Sequence, residues 1–217
     1  MEYKAIFLDF DDTLGDRNQY AYQLWRRAVT ENTDETDPFE IEAMVQDCMI
    51  WDQNGDAPKA YAVEQLEKRY GVKVKYEDFN AWWEANLCNY AVAFSDSRST
   101  LLALKQKGYQ LGLITNGPSE GQRKKAEHAG LADLLDDIVV SADYGIKKPD
   151  VRLFQIAAER LGVKPEECVM VGDIFARDIL GAYRAGMKPV WIWTWGNRPC
   201  KAPVLVIHSI SELLNHF

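Results

Sequence analysis

The chain has 217 residues, 47% of them hydrophobic and 27% charged, with a formal net charge of −8. These are the proportions of a soluble globular protein, built as one domain with an insertion or as two small domains. No apolar run approaches the ~20 residues needed to span a bilayer, and the acidic balance sets nucleic acid and anionic membranes aside as partners.

The N-terminal apolar stretch is too short for a signal peptide and is broken by Asp9. Cys48, Cys88, Cys168 and Cys200 are widely spaced, with no C-x-x-C pair. They read as reduced thiols of a cytoplasmic protein, not as a disulfide frame or a zinc site.

The first strand is expected over Lys4 to Asp9, and it runs straight into Asp9-Phe10-Asp11-Asp12-Thr13-Leu14. Alternate side chains of a strand share a face, so Asp9 and Asp11 are expected to point the same way. Two carboxylates forced together repel, and either a cation or a shared proton relieves them.

The period then becomes helical. Tyr20, Leu24, Trp25 and Ala28 fall on one face; Ile41, Met44, Val45, Cys48 and Met49 on a second, in a segment opened by Asp37-Pro38. Ala62, Val63, Leu66 and Tyr70 make a third face, ended by Gly71, and Phe79, Trp82, Trp83 and Tyr90 a fourth. Residues 16–92 therefore read as four amphipathic helices joined by short loops. They hold 15 acidic and 8 basic side chains, so almost all the net charge lies there. Trp25, Trp51, Trp82 and Trp83 are expected in the core of this insert, and Arg17 on its surface.

From about Ser97 strands and helices alternate. Strands are expected at Tyr109 to Ile114, Ile138 to Ser141, Cys168 to Val171, Val190 to Trp193 and Val204 to Ile207. The helices between them, with a last one from Ile210 to His216, imply a parallel sheet covered on both faces. Arg123-Lys124-Lys125 reads as a solvated helix face, and Trp195 as a residue able to reach a site mouth.

Four polar clusters follow four of these strands: Asp9 with Asp11, Thr115-Asn116-Gly117, Lys147-Lys148-Pro149, and Gly172-Asp173 with Asp178. The strand ends of a parallel sheet open on one edge, so the clusters can converge there. In this order they resemble the four motifs of the haloacid dehalogenase (HAD) superfamily of phosphotransferases. Asp9 to Leu14 is similar to its D-x-D-x-T-L motif, Thr115 to the second and Lys148 to the third. Gly172-Asp173 with Asp178-Ile179-Leu180-Gly181-Ala182 resembles the fourth.

The resemblance implies an α/β fold, a Rossmann-like parallel sheet formed by residues 1–15 and 93–217. The inserted four-helix segment, 16–92, would be the family's helical cap, which closes over the site and excludes water. It also implies Asp9 as nucleophile and Asp11 as proton donor and acceptor. Mg²⁺ would be held by Asp9, Asp173, the backbone carbonyl of Asp11 and, nearby or through water, Asp178. Thr115, Asn116, Gly117 and Lys148 would hold the phosphoryl oxygens. The expected activity is hydrolysis of a small phosphomonoester through an aspartyl-phosphate. Trp51 to Asp56 resembles the cap of nucleoside monophosphatases, so a nucleoside monophosphate or a sugar phosphate is a candidate substrate. Asp11, Asp173 and Asp178 argue against carbon–halogen cleavage. Sugar-phosphate mutases keep both first-motif aspartates and remain an alternative. A non-catalytic binding member would be expected to lack one of these charged groups.

A rival hydrolase reading rests on Gly117-Pro118-Ser119-Glu120-Gly121, which matches the serine nucleophile elbow G-x-S-x-G. It requires a histidine partner from His128, His208 or His216 and leaves the carboxylates unexplained.

Overall fold

The computed structural model describes residues 3–193 and 199–217. The chain divides into two compact units, one of Met1–Asp16 with Ala93–Phe217 and the other of Arg17–Val92. Among the described residues no helix is long and apolar enough to cross a membrane.

The first unit is built on six strands: β1 (Ala5–Leu8), β2 (Gln110–Thr115), β3 (Asp137–Val140), β4 (Cys168–Gly172), β5 (Lys188–Ile192) and β6 (Leu205–Ile207). They form one sheet in the order β3-β2-β1-β4-β5-β6, and every pairing is parallel. The strands are short and mostly buried, so their sequences read as continuous apolar runs. The chain crosses from β3 back past β1 to β4, and a crevice opens beside β1 where the strand order reverses. Asp9 follows β1 and Asp173 follows β4, the two strands that flank that reversal.

Phe7, Ile114, Val139 and Met170 point to one face of the sheet. There they meet Leu153, Phe154 and Ala157 of α8 (Val151–Arg160) and Ala182 of α9 (Leu180–Ala185). Ile6, Leu8, Leu111 and Leu113 alternate to the other face and are also fully buried. α5 (Ser97–Gln106), which packs on β2, contributes buried Leu101 and Leu104. The C-terminal segment expected as an α-helix is 3-10 over Ile210–Asn215, opened by a capping box between Ser209 and Glu212. This unit also contains α6 (Ser119–His128) and the single turn α7 (Ser141–Tyr144). Trp195 lies outside the described residues.

The second unit consists of α1 (Arg17–Thr30), α2 (Pro38–Asp52), α3 (Lys59–Tyr70) and α4 (Phe79–Leu87), with two 3-10 turns. α2 starts where Asp37 accepts from the N–H of Phe39 and Pro38 occupies the first turn. α3 ends at Gly71 in the left-handed region, as a helix-stopping glycine should. Trp25 and Trp83 are buried with ring centroids 4.6 Å apart, and Phe79 stacks on Trp25 at 5.3 Å. Trp82 is half-buried and stacks on Tyr76 at 4.2 Å. The tryptophan-rich face is thus mainly aromatic core.

Arg17 is not a surface residue. It is 5% exposed, and its Nη2 lies 2.7 Å from Oδ2 of Asp52, a carboxylate that also pairs with buried Lys59. Its guanidinium is stable inside because the buried Asp52 supplies the opposite charge. Asp52 closes α2, and Gln53, Asn54 and Gly55 then turn the chain with three successive positive φ angles. The segment Trp51 to Asp56 is therefore a helix end tied down by ion pairs.

Cys48, Cys88 and Cys168 are buried and Cys200 is exposed. Burial pushes the thiols of Cys48 and Cys168 up to about 12. A thiolate is the reactive form, so titration of the native protein with an aromatic disulfide at pH 8 is expected to give one rapid equivalent, from Cys200. The other three should react only when the chain unfolds.

Candidate active site

The site is built on the edge where β1, β2 and β4 end. The ladder continues one step beyond β1, where the N–H of Asp9 donates to the carbonyl of Val171 at 2.9 Å. That bond fixes the backbone of Asp9 against the end of β4. The chain then turns through Asp12, which has φ 57°, and the Asp12 N–H donates to Gly15 O at 2.9 Å. Asp12 and Thr13 are buried within this turn, which carries the chain out of the sheet.

Asp9, Asp173 and Asp178 each bring a carboxylate oxygen within 4.8 Å of the other two. Lys148 is 4% exposed, and its Nζ lies 2.9 Å from Asp9 Oδ1 and 2.6 Å from Asp178 Oδ1. Burial disfavours the Lys148 cation, but the flanking Asp178 and Asp9 carboxylates outweigh it and hold the ammonium above its ordinary range. Asp178 is fully buried, and burial raises its carboxyl against the pull of Lys148. Asp173 is pushed up to about 9, first by burial and then by the carboxylates of Asp9, Asp178 and Asp12. Its Oδ1 is buried and has no hydrogen-bond partner among the described residues.

Three carboxyl groups clustered beside one lysine repel one another when ionised, and Asp173 leaves a buried oxygen without a partner among the described residues. Such a donor set of oxygens alone suits a hard divalent cation like magnesium.

Local structure holds each of these groups. Asp173 is anchored through its own carbonyl, which accepts from Trp191 Nε1 at 2.8 Å, with Trp191 itself buried on β5. Asp178 sits in a π-helical turn, Phe175–Ile179, and its Oδ2 accepts from the N–H of Ile174 at 2.9 Å. Turns of this kind re-aim a side chain relative to a regular helix. Asp178 lies directly over Gly172: a Cβ placed there would stand 2.4 Å from Asp178 Cγ. Gly172→Ala is expected to displace that carboxylate and lower stability by about 1–3 kcal/mol. Thermal melts with and without magnesium check this, the variant showing the smaller magnesium-induced rise in Tm.

The second cluster serves the third. Asn116 Oδ1 accepts from the backbone N–H of Lys148 at 2.9 Å, and its Nδ2 donates to the Lys148 carbonyl at 3.3 Å. The Asn116 side chain therefore clamps the loop that carries the lysine. Thr115 is buried at the end of β2. The N–H of Gly117, expected to face a phosphate, donates instead to Ser141 Oγ at 3.0 Å. The reason lies in the sheet order: α7 begins at Ser141, directly after neighbouring β3, and presents its first hydroxyl to the turn.

Asp11 departs from the strand-alternation expectation. β1 ends at Leu8, and Asp11 makes only an isolated bridge with Gly15. Its two carboxylate oxygens each lie 2.8 Å from Nζ of Lys125, and Oδ2 accepts from Gln122 Nε2 at 3.2 Å. The carboxylates of Asp9 and Asp11 are thus held by different lysines. The solvated-face expectation fails for Lys125, which is 6% exposed. Arg123 and Lys124 do pair on the outside of the same helix, with Asp143 and Glu120. The signal for Lys125 was periodicity: Gln122, Lys125 and Ala126 are the buried residues of α6, a stripe at three- and four-residue spacing.

Ser119 stands at the start of α6, whereas His128 closes the same helix and His208 Nδ1 contacts the Trp193 carbonyl. Nine residues of helix separate Ser119 from His128 by about 13 Å, which does not support the nucleophile elbow.

A family model described as haloacid dehalogenase-like hydrolase matches residues 3–186. The chain is 32% identical over 192 residues to a glyceraldehyde 3-phosphate phosphatase of Pyrococcus furiosus, covering 87% of this chain and 80% of that protein. Among solved structures it is similar to a HAD phosphatase from Thermococcus onnurineus. The match is 27% identical with a TM-score of 0.67 and covers 98% of this chain and 97% of that one. The HAD-hydrolase YfnB from Bacillus subtilis shares the fold, with a TM-score of 0.77 at 24% identity over 100% of this chain and 99% of its own. With a model match across most of its length and a relative of this similarity, the chain belongs to the haloacid dehalogenase-like hydrolases.

Proposed function

We propose that the protein is a magnesium-dependent phosphatase that hydrolyses a small phosphomonoester through a phosphoryl group carried on Asp9. One observation carries this reading: the Asp9, Asp173 and Asp178 carboxylates cluster at the sheet edge, with buried Lys148 paired to Asp9 and Asp178, while Asp11 is held separately two residues beyond Asp9.

Asp9, with Asp173 and the backbone carbonyl of Asp11, would hold the magnesium ion, and Asp178 would lie beside it. Bound there, the ion would supply positive charge against the phosphate and offset the repulsion among the carboxylates. The rest of the chemistry belongs to the chain. Asp9 is a carboxylate and needs no base to make it a nucleophile. Lys148 restrains it at 2.9 Å and sets a cation beside the phosphoryl oxygens. Thr115, at the end of β2, and the backbone of Asn116 complete the phosphate-facing edge.

In the first step an Asp9 oxygen bonds to phosphorus, the ester P–O bond breaks, and Asp11 gives its proton to the leaving oxygen. In the second, Asp11 takes a proton from water, the water oxygen bonds to phosphorus, and the Asp9 carboxylate is released. Lys125 Nζ, 2.8 Å from both Asp11 oxygens, faces the carboxylate that the first step leaves behind and the second step uses. Within this reading the Arg17–Val92 unit is the cap that selects the ester.

A panel of phosphomonoesters assayed with and without magnesium tests the proposal. Glyceraldehyde 3-phosphate heads the panel, because a relative 32% identical carries its name. Sugar phosphates and nucleoside monophosphates follow. Turnover of at least one ester is expected, lost on chelation and restored by added magnesium, and chelation should also lower Tm. Turnover that survives chelation, or none on any ester, contradicts the proposal. Phosphatase names among the relatives favour hydrolysis over the mutase alternative.

A further inference from the structure

We propose that Lys125, assisted by Gln122, is a positioning residue that fixes the Asp11 side chain for proton transfer, an inference that rests on the phosphatase reading above. Lysine and glutamine are among the side chains least often buried, yet on α6 these two are 6% and 3% exposed. They stand three residues apart, on one face of the helix, and both reach Asp11. Lys125 Nζ contacts both carboxylate oxygens at 2.8 Å. Gln122 Nε2 divides its donors between Asp11 Oδ2 at 3.2 Å and the Asn116 carbonyl at 3.0 Å.

The arrangement links two parts of the site. α6 begins directly after the Thr115-Asn116-Gly117 turn, so the segment that follows the phosphate-facing edge also carries the groups holding the acid. Gly117, with φ 146°, leaves the space that Gln122 occupies; a Cβ there would lie 2.6 Å from Gln122 Nε2. Asp11 lies beyond the end of β1, where no ladder fixes its orientation. A short carboxylate at such a position samples several rotamers unless a partner selects one. Proton transfer needs the carboxyl within hydrogen-bond reach of the leaving oxygen, and small misplacements are costly. Lys125 selects the rotamer through a bidentate contact, and so acts on the reaction through Asp11.

The test compares wild type, Lys125→Met, Lys125→Arg, Gln122→Ala, Asp11→Asn and the Asp11→Asn/Lys125→Met double variant. Each is assayed on an alkyl phosphate and on an aryl phosphate with an acidic phenol, after a thermal melt confirms folding. Lys125→Met is expected to lower kcat on the alkyl ester by about 10- to 100-fold, with KM little changed and, by rapid quench, a smaller loss in the first-step rate on the aryl ester. Lys125→Arg, which keeps a cation able to reach both oxygens, should recover much of the loss. Gln122→Ala should shift the alkyl-to-aryl ratio in the same direction by less. In the Asp11→Asn background, removing Lys125 should change kcat by under about threefold.

Equal losses in the first-step rate on both esters, or an undiminished loss in the Asp11→Asn background, overturn the inference and leave Lys125 a structural or phosphate-holding role. If Lys125→Met fails to fold, the Gln122→Ala ratio and the Lys125→Arg rate decide; an unchanged ratio overturns the inference. Failure of the phosphatase reading looks different, because wild type then turns over no ester, or Asp9→Asn does so at the wild-type rate.

Discussion

Asp9→Asn is expected to abolish magnesium-dependent turnover, with kcat falling roughly 10⁴-fold or more, as when an enzyme loses its nucleophile. The amide is nearly isosteric, so packing at the end of β1 should survive and the variant should melt close to wild type. It cannot attack phosphorus as a carboxylate does. It also loses the negative charge that faces Lys148 Nζ at 2.9 Å. Binding and chemistry should therefore separate: the variant still has Lys148 to meet a phosphate, so it should bind the ester or inorganic phosphate without turning the ester over. Steady-state kinetics on the best ester, with calorimetry for binding, reads both quantities. A variant that keeps wild-type activity removes Asp9 from the chemistry.

The second large effect concerns Asp11. Asp11→Asn should slow an alkyl phosphate by about 10²- to 10⁴-fold, the range of a lost general acid or base. An aryl phosphate should suffer less in its first step, because an acidic phenol departs without a proton. Both esters share the second step, in which water attacks the phosphoryl group on Asp9, so the aryl ester should show a burst followed by slow release of phosphate. Rapid-quench kinetics separates the phases. Equal losses in the first step for both esters count against Asp11 as the acid.

Much of this was legible in the sequence because the sheet is simple. Short apolar runs such as Ala5–Leu8 and Cys168–Gly172 alternate with helices, and that alternation dictates a parallel sheet with its site at one edge. Three of the polar clusters were legible for the same reason, since Asp9, Asn116 and Asp173 each directly follow a strand, whereas Lys148 comes after β3 and the turn of α7. Tertiary partners were less so. Arg17 and Lys125 both read as surface residues, because a charged side chain is normally solvated. Each is buried by a carboxylate distant in sequence, Asp52 for Arg17 and Asp11 for Lys125. Nothing local in Lys124-Lys125 distinguishes the outward lysine from the inward one; the helical phase of α6 does.

The use of the second cluster was legible only in part. Thr115, Asn116 and Gly117 lie at the sheet edge as expected, but Asn116 holds the Lys148 backbone and the Gly117 N–H meets Ser141. Those partners come from the start of α7, 24 residues away, and from the Lys148 loop, 32 residues away, beyond the reach of any local pattern. The rise in the Asp173 carboxyl to about 9 likewise follows from burial beside Asp9 and Asp178, which only the folded chain brings together.

The central claim is that phosphoryl transfer passes through Asp9. The most direct measurement is an acid quench of the enzyme during turnover of its best ester, followed by borohydride reduction of any acyl phosphate and peptide mass spectrometry. The account predicts a reduced, formerly phosphorylated Asp9 in the peptide containing Phe7 to Leu14, absent without ester and absent in Asp9→Asn. Steady hydrolysis at the wild-type rate in Asp9→Asn, with no label on that peptide in either protein, would contradict it.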